Sequence, residues 1–291
     1  TGSQGTEAIT IYNNSAGTLD WSIPRPSLDF GTSVVHEPVV MAKGEESVPG
    51  GPQLLASGGP DAFGYRWQDS NDPGGPTFAW VDIAQPGNQI TLSGDDSNAG
   101  PFNIGFSFPF YGGTFSTVRI CTNGWLSFTD TGTGFTNQPL PNSGAPANLV
   151  APFWDDLHFG TGTNRAYAYN DGSRFIVSWV AVPRFSDAAS VMTFQAILYP
   201  SGEIRYQYLN MTGTTNSATV GIQNAAKTIG LQVANNQAYV ANNLAVRIIP
   251  LRQWLTASPI SGQVAPFSSQ QVDIGFDATG LNGGVYTGTV H

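Results

Sequence analysis

The chain has 291 residues, more than one ordinary domain of roughly 100–200 residues holds, so two units are expected. Charged residues supply only 11% of it, against a usual share of about 25%, and its 11 basic residues are scattered singly through a net charge of −9. That excludes a nucleic-acid surface and an anionic-membrane surface, both of which need clustered Lys and Arg.

No apolar run approaches the roughly 18 residues of a membrane span, so no membrane insertion is expected. A single cysteine, Cys121, rules out an intrachain disulfide and a Cys-based zinc site; within VRICTNGW it reads as a small buried hydrophobe. No signal peptide stands at Thr1, and the chain reads as a mature or excised fragment. With 35 Gly and 20 Pro, and a surface left to Ser, Thr, Asn and Gln, the composition is that of a turn-rich β protein of the cell exterior.

Helical periodicity is absent, and short strands bounded by turn residues recur. Ala8–Ile23 reads as strand, polar turn, strand. Residues 44–62, rich in Gly and Pro, read as a loop or linker. In Gly105–Gly113 large aromatics alternate with small residues, which places Phe106, Phe108 and Phe110 on one face of a strand. Three hairpins follow, turning at Asn123-Gly124, at Asp171-Gly172 and at Pro200-Ser201-Gly202. Between the first two lies a turn-rich stretch, 129–148, of a length that is usually functional or mobile. The run Arg174–Val180 is apolar on both faces and belongs centrally in a packed sheet. Glu203–Leu209 sends Arg205 and Gln207 to one face, and Ile204, Tyr206 and Tyr208 to the other. The last segment, from about 249 to 291, gives three strands. Neither chain end can bury a core alone, so residues 1–24 are expected to pair with residues 249–291, which makes the middle an insertion.

The ordered set GFSFPFYGGTFSTVRICTNGWLSF, NLVAPFWDDLHF, RFIVSWVAVP, TFQAILYPSGEIRYQY and ATVGIQN resembles a nidogen-type (NIDO-like) domain over residues 100–248. The resemblance implies a β-sandwich of the kind found in extracellular matrix and adhesion proteins, with similar segments in bacterial secreted proteins, and hands over no catalytic residues. The preceding GGPDAFGYRWQDSNDPGGPTFAWVDI, within a loop-rich lead-in of 25–99, is similar to segments of secreted bacterial proteins that carry a subtilisin-like protease elsewhere. The two ends are similar to the first and last strands of bacterial immunoglobulin-like repeats of the BACON type. The expected architecture is therefore all-β: a nidogen-like sandwich inserted into a split immunoglobulin-like sandwich.

Candidate chemistry is sparse. Of the three histidines, His36 sits at a polar–apolar boundary, His158 follows an acidic pair and His291 is terminal. There is neither a GxSxG elbow nor an HExxH pair, so no enzyme is expected. Asp95, Asp96, Asp155 and Asp156 could offer oxygens to calcium, although no spaced DxDxDG loop exists and turn capping explains Asp equally well. Tyr65, Trp67 and Trp80, set among Gly, Asp and Asn, are candidates for stacking on a sugar; Trp154 and Trp179 read as core. The N-x-S/T triplets at Asn13 and Asn210 arise readily in so polar a chain.

The expected role is a non-catalytic structural or adhesive module, secreted or at a bacterial cell surface. Its partners would be neighbouring repeats, copies of itself, or an extracellular glycan or protein. The alternative is a carbohydrate-binding accessory module of a secreted protease or glycoside hydrolase.

Overall fold

Strands form wherever apolar and polar residues alternate between Gly, Pro, Asn and Asp turns. The computed structural model describes residues 4–23, 33–45, 47–48, 50–51, 55–92, 94–160, 165–250 and 255–277; Trp254, His291 and the strand expected near the C-terminus lie outside them. In chain order the strands are β1 Gln4–Tyr12, β2 Leu19–Ser22, β3 Ser57–Gly58, β4 Tyr65–Asp69, β5 Asn98–Phe110, β6 Gly113–Cys121, β7 Trp125–Ser127, β8 Leu149–Trp154 and β9 Ala166–Asn170. They continue with β10 Phe175–Val182, β11 Val191–Leu198, β12 Ile204–Thr212, β13 Thr219–Gln223, β14 Gly230–Asn235, β15 Leu244–Pro250, β16 Leu255–Ser258, β17 Ser261–Val264 and β18 Ser269–Asp277. One 3-10 turn, Pro86–Asn88, is the sole helical element among the described residues. The fold is all-β.

The chain divides into two units, Thr1–Gly31 with Leu251–His291, and Thr32–Pro250. In the smaller, β1 runs antiparallel to β18 from Gln4↔Asp277 to Tyr12↔Ser269, β16 flanks β18, and β17 pairs with β2. The pairing joins the two chain ends around a small core of Ile23, Leu255, Val272 and Ile274. Asn13 is buried, and its amide donates to the carbonyls of Gly17 (2.7 Å) and Val264 (2.9 Å), so this triplet serves as a turn clamp.

The larger unit holds two antiparallel sheets, ordered β3-β4-β15-β12-β11-β10-β9 and β14-β13-β8-β7-β6-β5. The three expected hairpins are β6–β7, β9–β10 and β11–β12, and β10 lies inside its sheet between β9 and β11. Aromatic side chains fill the space between sheets: Trp179 stacks on Phe194 at 5.0 Å, and Phe153 of β8 meets Phe194 of β11 at 5.6 Å. Polar tips of core aromatics are satisfied across the layers. The Tyr206 hydroxyl donates to the Gly221 carbonyl (2.9 Å), that of Tyr208 to Pro152 (2.7 Å), and the Trp179 indole to Cys121 (3.0 Å). Buried Tyr and Trp usually need such a partner.

Charges are few, and Gln and Asn side chains anchor much of the long loops. On the outer face of the seven-stranded sheet, Gln195 and Gln207 are cross-strand partners. Gln207 exchanges two hydrogen bonds with the backbone of Ala79, and Gln195 exchanges two with Val81. An amide side chain copies the donor–acceptor pair of a peptide unit, so an extended segment docks as if onto another strand. Ile83 then packs on Ile176 and Ile197, which explains why β10 is apolar on both faces. Within the loop-rich 25–99 stretch, β3 and β4 are strands that join the seven-stranded sheet, and the segment carrying Ala79, Val81 and Ile83 covers its outer face.

The turn-rich 129–148 stretch is fixed in the same way. The Leu140 and Asn142 amides donate to the side-chain oxygens of Gln232 (2.9 Å) and Gln223 (2.6 Å). Both Trp125 and Trp154 donate their indole N–H to the single carbonyl of Gly134, at 3.0 and 2.9 Å. Beneath this loop Cys121, Trp125, Leu140, Ala145, Leu149, Ala151 and Trp154 make a second, smaller core.

Candidate functional site

Leaving β8, the chain carries the two acidic residues Asp155 and Asp156 in opposite directions. Asp155 is 5% exposed and accepts from the Arg184 Nε at 2.9 Å and the Ser217 hydroxyl at 2.8 Å; Arg184 is 3% exposed. This closed, buried ion pair removes Asp155 from the expected calcium ligands: the carboxylate already has its cation, a guanidinium.

Asp156 joins Asp95 and Asp96, one oxygen of each lying within 4.8 Å of the others. At their convergence sits the Lys43 ammonium, 3.0 Å from Asp95 Oδ1, 3.0 Å from both Asp96 oxygens and 2.6 Å from Asp156 Oδ1. The rings of Phe135 and Phe185 lie with their centroids each 4.4 Å from Lys43 Nζ. Carboxylates and ring faces both favour a cation. Calcium asks for six to eight oxygens at about 2.3–2.6 Å; here three carboxylates surround an ammonium at hydrogen-bonding distance.

The supporting residues come from distant segments. Asn123, in the β6–β7 turn, donates its amide to Asp96 Oδ1 (2.8 Å) and the Thr133 carbonyl (3.0 Å), while its side-chain oxygen accepts from the Leu157 amide (2.9 Å). Gly124, with φ +72°, makes the turn; a Cβ there would lie 1.9 Å from the Phe153 carbonyl oxygen. Asn123 has no positive φ, so the turn places one left-handed residue, the glycine, and leaves the asparagine side chain to orient Asp96. Phe185 is held by its amide donating to the Asp156 carbonyl (2.8 Å). Asp95 and His158 bridge through their backbones, and His158 Nδ1 lies 3.6 Å from Asp95 Oδ1.

Burial opposes charge on Lys43, but hydrogen bonds to Asp156, Asp95 and Asp96 outweigh it and hold its pKa above the ordinary lysine value. Burial also pushes the Asp156 carboxyl above the ordinary range, over the opposing hydrogen bond from Lys43. One Asp156 oxygen, Oδ2, has no hydrogen-bond partner among the described residues.

Lys43 belongs to a segment, 33–51, whose described residues bury little apolar surface. Its ties are polar: the His36 amide to the Pro141 carbonyl (2.9 Å), a double hydrogen bond between Val39 and the Gln138 amide (2.6 and 2.7 Å), and Asn142 Nδ2 to the Glu37 carbonyl (2.9 Å). Val34, Val35, Val39, Val40 and Val48 are exposed, Val40 at 91%.

The sugar-stacking candidates separate. Tyr65 and Trp67 are 1% and 3% exposed, on the inward face of β4, where Tyr65 packs against Phe63, Phe110 and Tyr111, and Trp67 meets Tyr239 edge-on. They are core and present no ring face to a ligand. Trp80 stays half-exposed on the segment docked by Gln195 and Gln207. His36 is exposed and pairs through its backbone with Asn142. Lys43, Asn123, Phe135 and Phe185 were missed in the sequence: each is a common residue in a loop, and only the fold brings them together.

Among known proteins, the chain is similar to alpha-tectorin of Homo sapiens, 27% identical over 157 residues, covering 44% of this chain and 7% of that protein. Alpha-tectorin of Mus musculus is 26% identical over 157 residues, and that of Gallus gallus 26% over 166 residues, 47% of this chain and 8% of that protein. The chain thus spans less than a tenth of the length of the curated relatives it matches. No solved structure matches it. A family model described as NIDO related matches residues 74–269, from before the Asp95-Asp96 turn to the first residue of β18, and by that match over more than half of its length the chain belongs to the NIDO-related family.

Proposed function

We propose that the chain is a non-catalytic extracellular module of a bacterial surface or secreted protein, structural or adhesive in role, with a nidogen-like sandwich inserted into a split immunoglobulin-like domain of the BACON type. It acts through protein–protein contact, with neighbouring repeats or with copies of itself. The observation that carries this reading is that Val34, Val35, Val39, Val40 and Val48 are all exposed along one segment of a chain with few charges. Exposed apolar surface of this kind marks contact sites, and low charge leaves little like-charge repulsion between packed copies.

The chemically active groups support the same reading, because they are engaged with one another. Arg184 and Asp155 close on each other, Lys43 fills the carboxylate cluster, and burial pushes the Cys121 thiol up to about 12, far from a reactive thiolate.

The rival reading, a carbohydrate-binding accessory module of a secreted protease or glycoside hydrolase, draws on the half-exposed Trp80. Passing the chain over a panel of immobilised polysaccharides separates the two. The structural reading expects no retention by any polymer. Retention by one polymer that is lost in Trp80→Ala would replace it with the rival.

A further inference from the structure

We infer that the Asp95, Asp96 and Asp156 carboxylates with the Phe135 and Phe185 rings form a cage for a primary ammonium, and that Lys43, its resident ligand, latches the 33–51 segment onto the sandwich. Three features favour an ammonium over a metal ion. Lys43 Nζ has three N–H bonds to donate and three carboxylates that accept them, at 2.6–3.0 Å. Two aromatic faces complete the shell, and rings attract an organic cation while giving a hard metal ion no oxygen. The carboxylates are also held in place from outside the cluster: Asp96 by Asn123, Asp95 and Asp156 by backbone bonds to the residues that bring His158 and Phe185 alongside.

The latch follows from where Lys43 sits. The 33–51 segment exposes its valines and is tied down by scattered polar contacts with the 136–142 part of the long loop. Gly50 and Gly51 bond the backbone of Asn236 and Ala238 beyond β14, and Lys43 is the point at which the segment makes ion pairs, reaching residues 52, 53 and 113 positions away. Without that ammonium, three carboxylates face one another with nothing between them, and the segment loses its strongest tie.

The test uses the full chain and its Lys43→Ala variant, followed by thermal melting and by hydrogen exchange at the His36, Val39, Ala42 and Gly50 amides. The expected result is a midpoint lower by roughly 4–8 °C and exchange at those amides faster by roughly tenfold. Alanine keeps Cβ, so n-propylammonium is the missing piece of the side chain. Added n-propylammonium chloride should raise the variant's midpoint and slow the exchange, while tetramethylammonium chloride at equal concentration, which cannot donate, should do neither. In the parent chain calcium and chelator should leave the midpoint unchanged. Equal behaviour of the variant and the parent would overturn the latch. Rescue by calcium but not by n-propylammonium, or a calcium-dependent midpoint in the parent, would overturn the ammonium assignment in favour of a metal site.

Discussion

Arg184→Met is the sharpest probe of how the sandwich is held. The substitution keeps an unbranched apolar stem of similar reach but deletes the guanidinium that lies 2.9 Å from Asp155. Asp155 keeps the Ser217 hydroxyl and the Asp156 amide as donors, yet at 5% exposure it is a buried anion with no cation. Breaking one partner of such a pair costs about 3–5 kcal/mol. In a unit spanning Thr32–Pro250, each kcal/mol moves the midpoint by about 2–4 °C, so a loss of roughly 6–20 °C is expected. Near-ultraviolet circular dichroism, which reports the packed tryptophans, follows that unit directly. Replacing both partners, as in Asp155→Leu with Arg184→Met, removes the stranded charge and should recover most of the loss. A single variant within about 1 kcal/mol of the parent, or a double variant no better than the single, would refute the reasoning.

Three further outcomes follow from the same physics. Gln207→Leu strips Ala79 of both backbone partners, so it should cost about 1–3 kcal/mol and speed hydrogen exchange at Ala79 without changing the β11–β12 hairpin amides. Cys121 should resist a thiol reagent in the native state and react only as fast as the protein opens, since it is buried and its thiol is pushed up to about 12; rapid native labelling would contradict its place under the 129–148 loop. Burial pushes the Asp61 carboxyl above its ordinary range despite hydrogen bonds from Tyr111 and the Tyr65, Phe63 and Gly64 amides. Between about 3.9 and the raised value the folded state holds a proton the unfolded chain has lost, so stability should fall as pH rises through that window. Asp61→Asn should flatten that part of the stability curve.

The fold was legible where the code is local. Alternation and turn pairs such as Asp171-Gly172 place the hairpins, and a doubly apolar run places β10 inside its sheet. Period-2 burial is present in Tyr65–Asp69 too, where Tyr65, Trp67 and Asp69 point inward and Arg66 and Gln68 less so, but the Gly, Asp and Asn residues around it give the stretch the composition of a loop. The outer layers were not legible. A glutamine that will dock a distant backbone looks like any polar surface residue until Gln195 and Gln207 are seen side by side across β11 and β12. The cage was half legible: the acidic pairs stood out, but Asp155 and Asp156 look equivalent in sequence and only the fold sends one to Arg184 and the other to Lys43. Lys43 itself sits in a Gly- and Pro-rich approach with no motif around it.

The reading of this chain as a module that works by contact between proteins is tested most directly by its mass in solution, followed by light scattering over a concentration series with Val34, Val39 and Val40 either intact or changed together to Ser. The account predicts mass that grows with concentration in the parent chain and stays at one chain in the triple variant, since these exposed valines carry the contact. A parent chain that remains a strict monomer throughout would contradict self-association, and growth that persists unchanged in the variant would contradict the assignment of the contact to this segment.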